Sequence, residues 1–281
     1  MSKTPAVDGP RLPWAELAIT AGLAFLAMGT LFYVGLLGWE GRPDGCLVDG
    51  QCFCELDRGG LIRQRANTLS NLGFVAVGLA IAFSLGRHRS RGDLPVLSNP
   101  MTETRFYPGF YAVLTALLGP GSMALHASLT WWGSVLDLVS MNVFIGFVFS
   151  YAVVRWKKLG VRSFLACFIA LNSILLTIKL IHGHGSTAFA VMALVSLAIE
   201  VRVRRVGGHS ADGRLLAGAA GSFVASFAIW LGSHNDGVLC VPGSWLQGHA
   251  IWHLGCAAAT GFIYLYMRSE QSLASRPFYG R

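Results

Sequence analysis

The feature that most constrains this 281-residue chain is a series of eight long apolar segments. They lie at about 16–38, 68–86, 107–127, 133–154, 161–180, 185–203, 213–233 and 246–267. Each has about the 20 mostly apolar residues that a helix needs to cross a bilayer. Because backbone groups in lipid must bond within their own segment, each segment is predicted to be helical. The sequence therefore predicts an all-α, polytopic transmembrane bundle with eight spans.

Composition agrees with this architecture. Hydrophobic residues make up 53% of the chain, and charged residues make up 13%, which is about half the share in ordinary soluble domains. These values exclude a disordered chain and a small disulfide scaffold, and they disfavour a soluble globule. The apolar run that follows the polar stretch 1–13 is too long for a signal peptide, so the first segment is expected to be a retained helix.

The basic residues give the predicted orientation. Of the 22 lysines and arginines, 17 fall on one side of the eight spans. By the positive-inside rule, that side is cytoplasmic and holds both termini, residues 1–15 and 268–281. The net charge of +8 is therefore interpreted as a topology signal, and no nucleic-acid partner is expected.

Four of the six cysteines fall in loops on the opposite, outer side. They are Cys46, Cys52, Cys54 and Cys240. An oxidising compartment would allow two disulfides among them, in any of three pairings. Metal binding by the C-x-C pair is a weaker alternative, since that spacing alone is a poor zinc signature.

Five polar residues within spans share one predicted depth near the outer surface. Ser122 and His126 lie one helical turn apart at the end of the third span, and His249 and His253 are spaced in the same way in the eighth. Asp137 lies near the start of the fourth span. Ionisable groups inside a membrane span are costly, so they indicate function. The alternatives are a histidine that only bonds a backbone carbonyl and a serine that only allows close helix packing.

Three histidines with an open fourth position form a catalytic zinc arrangement. We expect His126, His249 and His253 to be the ligands. Asp137 would orient or deprotonate a water molecule, and Ser122 would donate a hydrogen bond to a developing oxyanion. Rival ligands lie in the outer loops, at His182, His184 and His234.

A second polar cluster precedes the second span. Glu55, Asp57 and Gln64 offer oxygen ligands that suit calcium, although composition alone favours a solvated loop of mixed charge. Asn67 or Thr68 is predicted to cap the following helix.

Several motifs resemble the alkaline ceramidases, within a superfamily of seven-helix zinc hydrolases that includes adiponectin-receptor-like and GPI-remodelling proteins. The matching pieces are FCE at 53–55, NTLSN at 67–71, GxGSxxxH at 119–126, Asp137 with Met141, and HAIWH at 249–253. They are spread over most of the chain.

The resemblance implies that the three histidines hold zinc, that Ser122 and Asp137 are catalytic, and that the substrate is an N-acyl sphingoid lipid. It also implies a seven-helix hydrolase core at 66–267. An extra N-terminal transmembrane helix and an outer cysteine-containing loop would then occupy 16–65.

The family's calcium-binding pattern is altered in this chain. Cys52 stands where the family has Asp, Phe53 where it has Trp, Asp57 where it has Asn, and Gln64 where it has Glu. The resemblance implies a possible calcium site at Phe53, Glu55, Asp57 and Gln64, with one ligand type lost and another weakened.

The sequence therefore predicts a zinc-dependent intramembrane amidase that hydrolyses ceramide to a sphingoid base and a fatty acid. One alternative is a related lipid acyl hydrolase acting on another N-acyl or ester lipid. Another is a non-enzymatic membrane receptor with structural zinc. A transporter is disfavoured because the chain has no internal repeat. The oligomeric state stays open.

Overall fold

A computed structural model describes residues 14–91, 99–183, 185–206 and 209–272. Within these ranges, eight helical spans are long and apolar enough to cross a membrane, which confirms the all-α, eight-span prediction. The elements, in chain order, are α1 (Ala15–Leu37), β1 (Gln51–Cys52), β2 (Glu55–Leu56), α2 (Arg65–Ser70), α3 (Leu72–Ser90), α4 (Pro100–Glu103), α5 (Phe106–Ser128), α6 (Trp131–Lys157), α7 (Val161–His182), α8 (Gly185–Val206), β3 (His209–Ser210), α9 (Gly213–Gly232), α10 (Gly248–Arg268) and β4 (Gln271–Ser272). The chain is an integral multi-pass membrane protein.

The second span consists of two helices, α2 and α3, joined at Asn71. The amide of Asn71 bonds the carbonyls of Thr68 and Leu69, which tightens the turn without breaking the span. The helix begins at Arg65, so Asn67 and Thr68 lie inside it and the predicted cap is wrong. The Glu55 carboxylate caps the helix instead. It accepts from the backbone amides of Ala66 and Asn67, both at 2.8 Å.

Helix α5 is the centre of the bundle, with most of its residues buried between α3 and α6. Close approach depends on small residues: a methyl group at Gly78 of α3 would lie 2.6 Å from the backbone nitrogen of Ala116 in α5. The N-terminal helix α1 belongs to the same bundle, since its buried Ala24 packs against Val75 and Ala116.

At the end of the bundle opposite the histidines, a buried ionic cluster joins three elements. Arg155 of α6 is 1% exposed and pairs with Glu200 of α8 and with Glu270, which follows α10. Tyr266 donates to the same Glu200 carboxylate at 2.7 Å. This cluster fixes α6, α8 and the end of α10 relative to one another.

The loop between α1 and α2, which we call the outer loop after its predicted side of the membrane, folds into a small hairpin. Strands β1 and β2 pair antiparallel, with Cys52 opposite Glu55, so the turn consists only of Phe53 and Cys54. Both turn residues have positive φ, 49° and 72°, as a two-residue hairpin turn of the primed type requires. Residues other than glycine, asparagine and aspartate rarely adopt this backbone conformation, so other contacts must hold the turn.

Two disulfides supply part of that restraint. Cys46 bonds Cys52, and Cys54 bonds Cys240 across 186 residues of sequence. These bonds settle the pairing that the sequence left open. The amide of Cys54 also donates to Asn235 at 2.7 Å. The hairpin is thereby attached to the loop between α9 and α10, from which the histidine-bearing helix α10 begins.

Candidate functional site

Three buried histidines meet at the end of the bundle where α5 ends and α10 begins. His126 lies in the last turn of α5, and His249 and His253 lie in the first two turns of α10. One ligand nitrogen from each lies within 4.8 Å of the other two. Among the described residues, this is the one group of three or more histidine, cysteine or acidic side chains with such spacing. The structure thus brings together the three residues predicted to bind zinc.

The donor set fits a metal ion. Nε2 of His126 and Nδ1 of His249 are buried and have no hydrogen-bond partner among the described residues. Unpartnered polar atoms in a protein interior are costly, and a metal ion would satisfy both. Two nitrogens bound to one tetrahedral zinc lie about 3.4 Å apart, so modest side-chain adjustments would close the cluster around an ion.

Two hydrogen bonds orient the imidazoles. Oε1 of Gln64 lies 2.8 Å from Nδ1 of His126, and Oγ of Ser70 lies 2.8 Å from Nδ1 of His253. The Ser70 hydroxyl already donates to the carbonyl of Asn67 at 3.0 Å, so it accepts from His253. With Nδ1 protonated, each ring presents the lone pair of its Nε2, which is the usual role of such outer partners in metal sites.

Ser122 and Asp137 are in contact with each other. The Ser122 hydroxyl lies beside the Asp137 carboxylate, and Asp44 and Lys179 lie within electrostatic range of that carboxylate. Helices α5 and α6 approach closely here because Gly121 has no side chain. A methyl group at that position would collide with Ser140. Ser122 lies one turn from His126 on α5, so the two side chains are on the same face of that helix.

Phe53 covers the outer face of the cluster. Its ring stacks on that of His249, with centroids 4.2 Å apart and planes 16° from parallel. It also lies edge-on to His126 at 6.0 Å. The strained turn conformation of Phe53 therefore places an apolar side chain between the histidines and the loop surface.

The rival histidines do not join the cluster. His234 has its ring centroid 6.0 Å from that of Phe53 and 4.2 Å from that of Trp230, outside the ligand group. His182 is exposed at the end of α7. His184 lies outside the described residues.

The two carboxylates predicted as calcium ligands, Glu55 and Asp57, have partners within the protein. Burial raises the pKa of Glu55 above its usual value, although the amides of Asn67 and Ala66 and the charge of Arg58 act in the opposite direction. Burial acts to raise the pKa of Asp57 as well, but hydrogen bonds from Arg63 and from the Gly59 amide outweigh it and hold the pKa below its usual value.

Sequence reasoning missed two parts of this site. Ser70 was recognised only as a polar residue of the second span, and Gln64 was assigned to calcium, whereas both contact the histidines. Nothing in the local sequence signals these contacts, because their partners are 183 and 62 residues away.

Comparison with known protein families gives one match. A family model described as Ceramidase matches residues 60–277, a range that contains the three histidines, Ser122 and Asp137. Among curated proteins, no match to the chain was found. Helix α1 lies outside the matched range.

Proposed function

This chain belongs to the ceramidase family, and from that premise we propose that it is a zinc-dependent membrane amidase that hydrolyses the N-acyl bond of ceramide. The products are a sphingoid base and a fatty acid. The observation that carries the proposal is the buried cluster of His126, His249 and His253. Ser122 lies one helical turn from His126, and its hydroxyl is near the Asp137 carboxylate.

The proposed ligands are the three histidines. Zinc held by them would lower the pKa of a water molecule and polarise the substrate carbonyl. The hydrogen bonds that His126 and His253 donate to Gln64 and Ser70 keep the two rings in the tautomer that ligation requires.

Asp137 is the proposed general base. Its carboxylate takes the proton of the attacking water and later returns a proton to the nitrogen of the leaving sphingoid base. In the free protein this carboxylate is an acceptor close to the Ser122 hydroxyl. Once Asp137 is protonated it becomes a weaker acceptor, which frees the Ser122 hydroxyl to donate to the oxyanion of the tetrahedral intermediate.

We place the seven-helix hydrolase core at 66–267 and treat α1 as an added helix packed on its side. The positive-inside distribution supports cytoplasmic termini and a site that faces the outer side of the membrane. A site among helix ends suits a substrate that arrives from the bilayer.

The test is hydrolysis of labelled ceramide by the purified full-length protein, with both products identified by mass spectrometry. We expect turnover by the wild type and loss of at least about 10²-fold in His253→Ala. His182→Ala, an exposed histidine outside the cluster, is the matched control and should retain full activity. Equal turnover by wild type and His253→Ala would contradict the proposal. Preferential turnover of ester lipids in the same assay would reassign the substrate.

A further inference from the structure

Gln64 connects the outer loop to the histidine cluster. Its side chain is fully buried, and its Nε2 donates to two backbone carbonyls, those of Cys52 at 2.6 Å and Glu55 at 2.7 Å. Its Oε1 accepts from Nδ1 of His126 at 2.8 Å, and its backbone amide donates to the carbonyl of the same histidine at 3.0 Å.

The orientation of this amide follows from its partners. Carbonyls only accept hydrogen bonds, so the nitrogen of Gln64 must face Cys52 and Glu55, and its oxygen must face His126. Both amide hydrogens and the amide oxygen are then engaged. The only oxygen of this side chain faces His126, so the side chain presents its nitrogen, and no ligand oxygen, to the carbonyls of Cys52 and Glu55.

The other predicted calcium ligands are engaged in a similar way. The two Glu55 oxygens accept from the first amides of α2, and Asp57 pairs with Arg63. Arg58 lies within electrostatic range of Glu55. The two carboxylates are thus balanced by two guanidinium groups, which leaves little negative charge to attract a divalent cation. The residues present do not fit a calcium site.

We propose that the Gln64 amide takes the place that a bound cation would occupy in this loop, so that the loop and His126 are joined without calcium. A cation would draw the carbonyls of Cys52 and Glu55 together by accepting their lone pairs. The two amide hydrogens of Gln64 hold the same two carbonyls together by hydrogen bonds. Gln64 is then also a positioning residue for His126, a part of the inference that rests on the proposed function.

The bonds that hold the hairpin support the proposal that the Gln64 amide replaces a cation. Cys52 precedes the turn and Cys54 is its second residue, and each is in a disulfide. The amide of Leu56 donates to the carbonyl of Pro242 at 3.1 Å, which adds a further link to the loop between α9 and α10. Two disulfides, one buried amide and paired charges thus hold the loop without a metal.

The first arm of the test measures calcium itself. The purified full-length protein is dialysed against calcium chloride, and its bound calcium and melting temperature are measured against a magnesium chloride control. We expect no bound calcium and no shift in melting temperature. Stoichiometric calcium, or a rise of several degrees in calcium alone, would overturn the proposal.

The second arm separates the two functions of the side chain. Gln64→Ala removes donors and acceptor, so it should lower the melting temperature and weaken zinc binding about 10–100-fold. Gln64→Glu keeps an acceptor for His126 but sets an anionic oxygen against two carbonyls. It should bind zinc within a few-fold of the wild type, melt at a lower temperature, and regain stability in calcium. A Gln64→Glu protein that gains nothing from calcium would refute the claim that the amide stands in a cation's place.

Asn99→Ala is the matched control. Asn99 is a buried amide at the other end of the bundle, and it also donates to two carbonyls, those of Arg268 and Glu270. The Asn99→Ala protein should be less stable than the wild type but should bind zinc with the same affinity. Equal weakening of zinc binding in Asn99→Ala and Gln64→Ala would overturn the positioning role. A wild type that binds no zinc would contradict the proposed function. The calcium measurement would still test whether the Gln64 amide replaces a cation.

Discussion

Ser70 offers the sharpest test of how the site is organised, because the expected effect can be worked from one hydrogen bond. Its hydroxyl accepts from Nδ1 of His253 at 2.8 Å and donates to the carbonyl of Asn67. Ser70→Ala removes the acceptor and leaves the ring free to rotate and to exchange tautomers. Loss of such a partner weakens metal binding about 10–100-fold. Because the serine is neutral and only half-buried, we expect the lower end, about tenfold or about 1.4 kcal/mol.

The assay is the zinc dissociation constant of the full-length protein, measured by competition with a chromophoric chelator. Ser84→Ala is the control, since Ser84 lies on α3 of the same span and makes the same type of bond to a carbonyl three residues earlier, that of Ile81. It should leave zinc affinity unchanged. Ser70→Thr, which keeps the hydroxyl, should restore affinity. Unchanged zinc affinity in Ser70→Ala, or an equal loss in Ser84→Ala, would refute the reasoning.

Three further predictions follow from the same structure. Asp137→Asn should lower kcat for ceramide by about 10²–10⁴-fold and Ser122→Ala by about 10²–10³-fold, while zinc content measured by mass spectrometry stays at the wild-type level; loss of zinc in either variant would contradict the assigned roles. Replacing both Cys54 and Cys240 by serine should lower the free energy of unfolding by about 2–5 kcal/mol, measured by chemical denaturation, and an unchanged midpoint would count against the bond. Arg155→Met should cost about 3–5 kcal/mol in the same measurement, because it leaves two acidic side chains without their shared guanidinium group; full stability would show that the cluster is dispensable.

The spans were predictable because a bilayer imposes both a length and a composition on each of them. The eight predicted segments all correspond to helical spans, with ends that differ by a few residues. The shared depth of the histidines was predictable for the same reason, since direction and position along a span fix the height of a side chain. The structure adds that their ligand nitrogens lie within 4.8 Å of one another, which depth alone does not imply.

The outer loop was not predictable, because its structure depends on contacts between distant parts of the chain. The start of α2 at Arg65 depends on the carboxylate of Glu55 ten residues earlier. The pairing of Cys54 with Cys240 depends on how the hairpin meets the loop before α10. Gln64 stands at a calcium-ligand position by resemblance to the family, and only the three-dimensional structure shows that its amide already has three partners.

The central claim is that zinc held by the three histidines supports ceramide hydrolysis. The most direct measurement is ceramide turnover as a function of bound zinc, starting from metal-free full-length protein. We predict no turnover without metal, and a rise in proportion to bound zinc that ends at one zinc per chain. Turnover by the metal-free protein, or a one-to-one zinc complex that leaves ceramide intact, would contradict the claim.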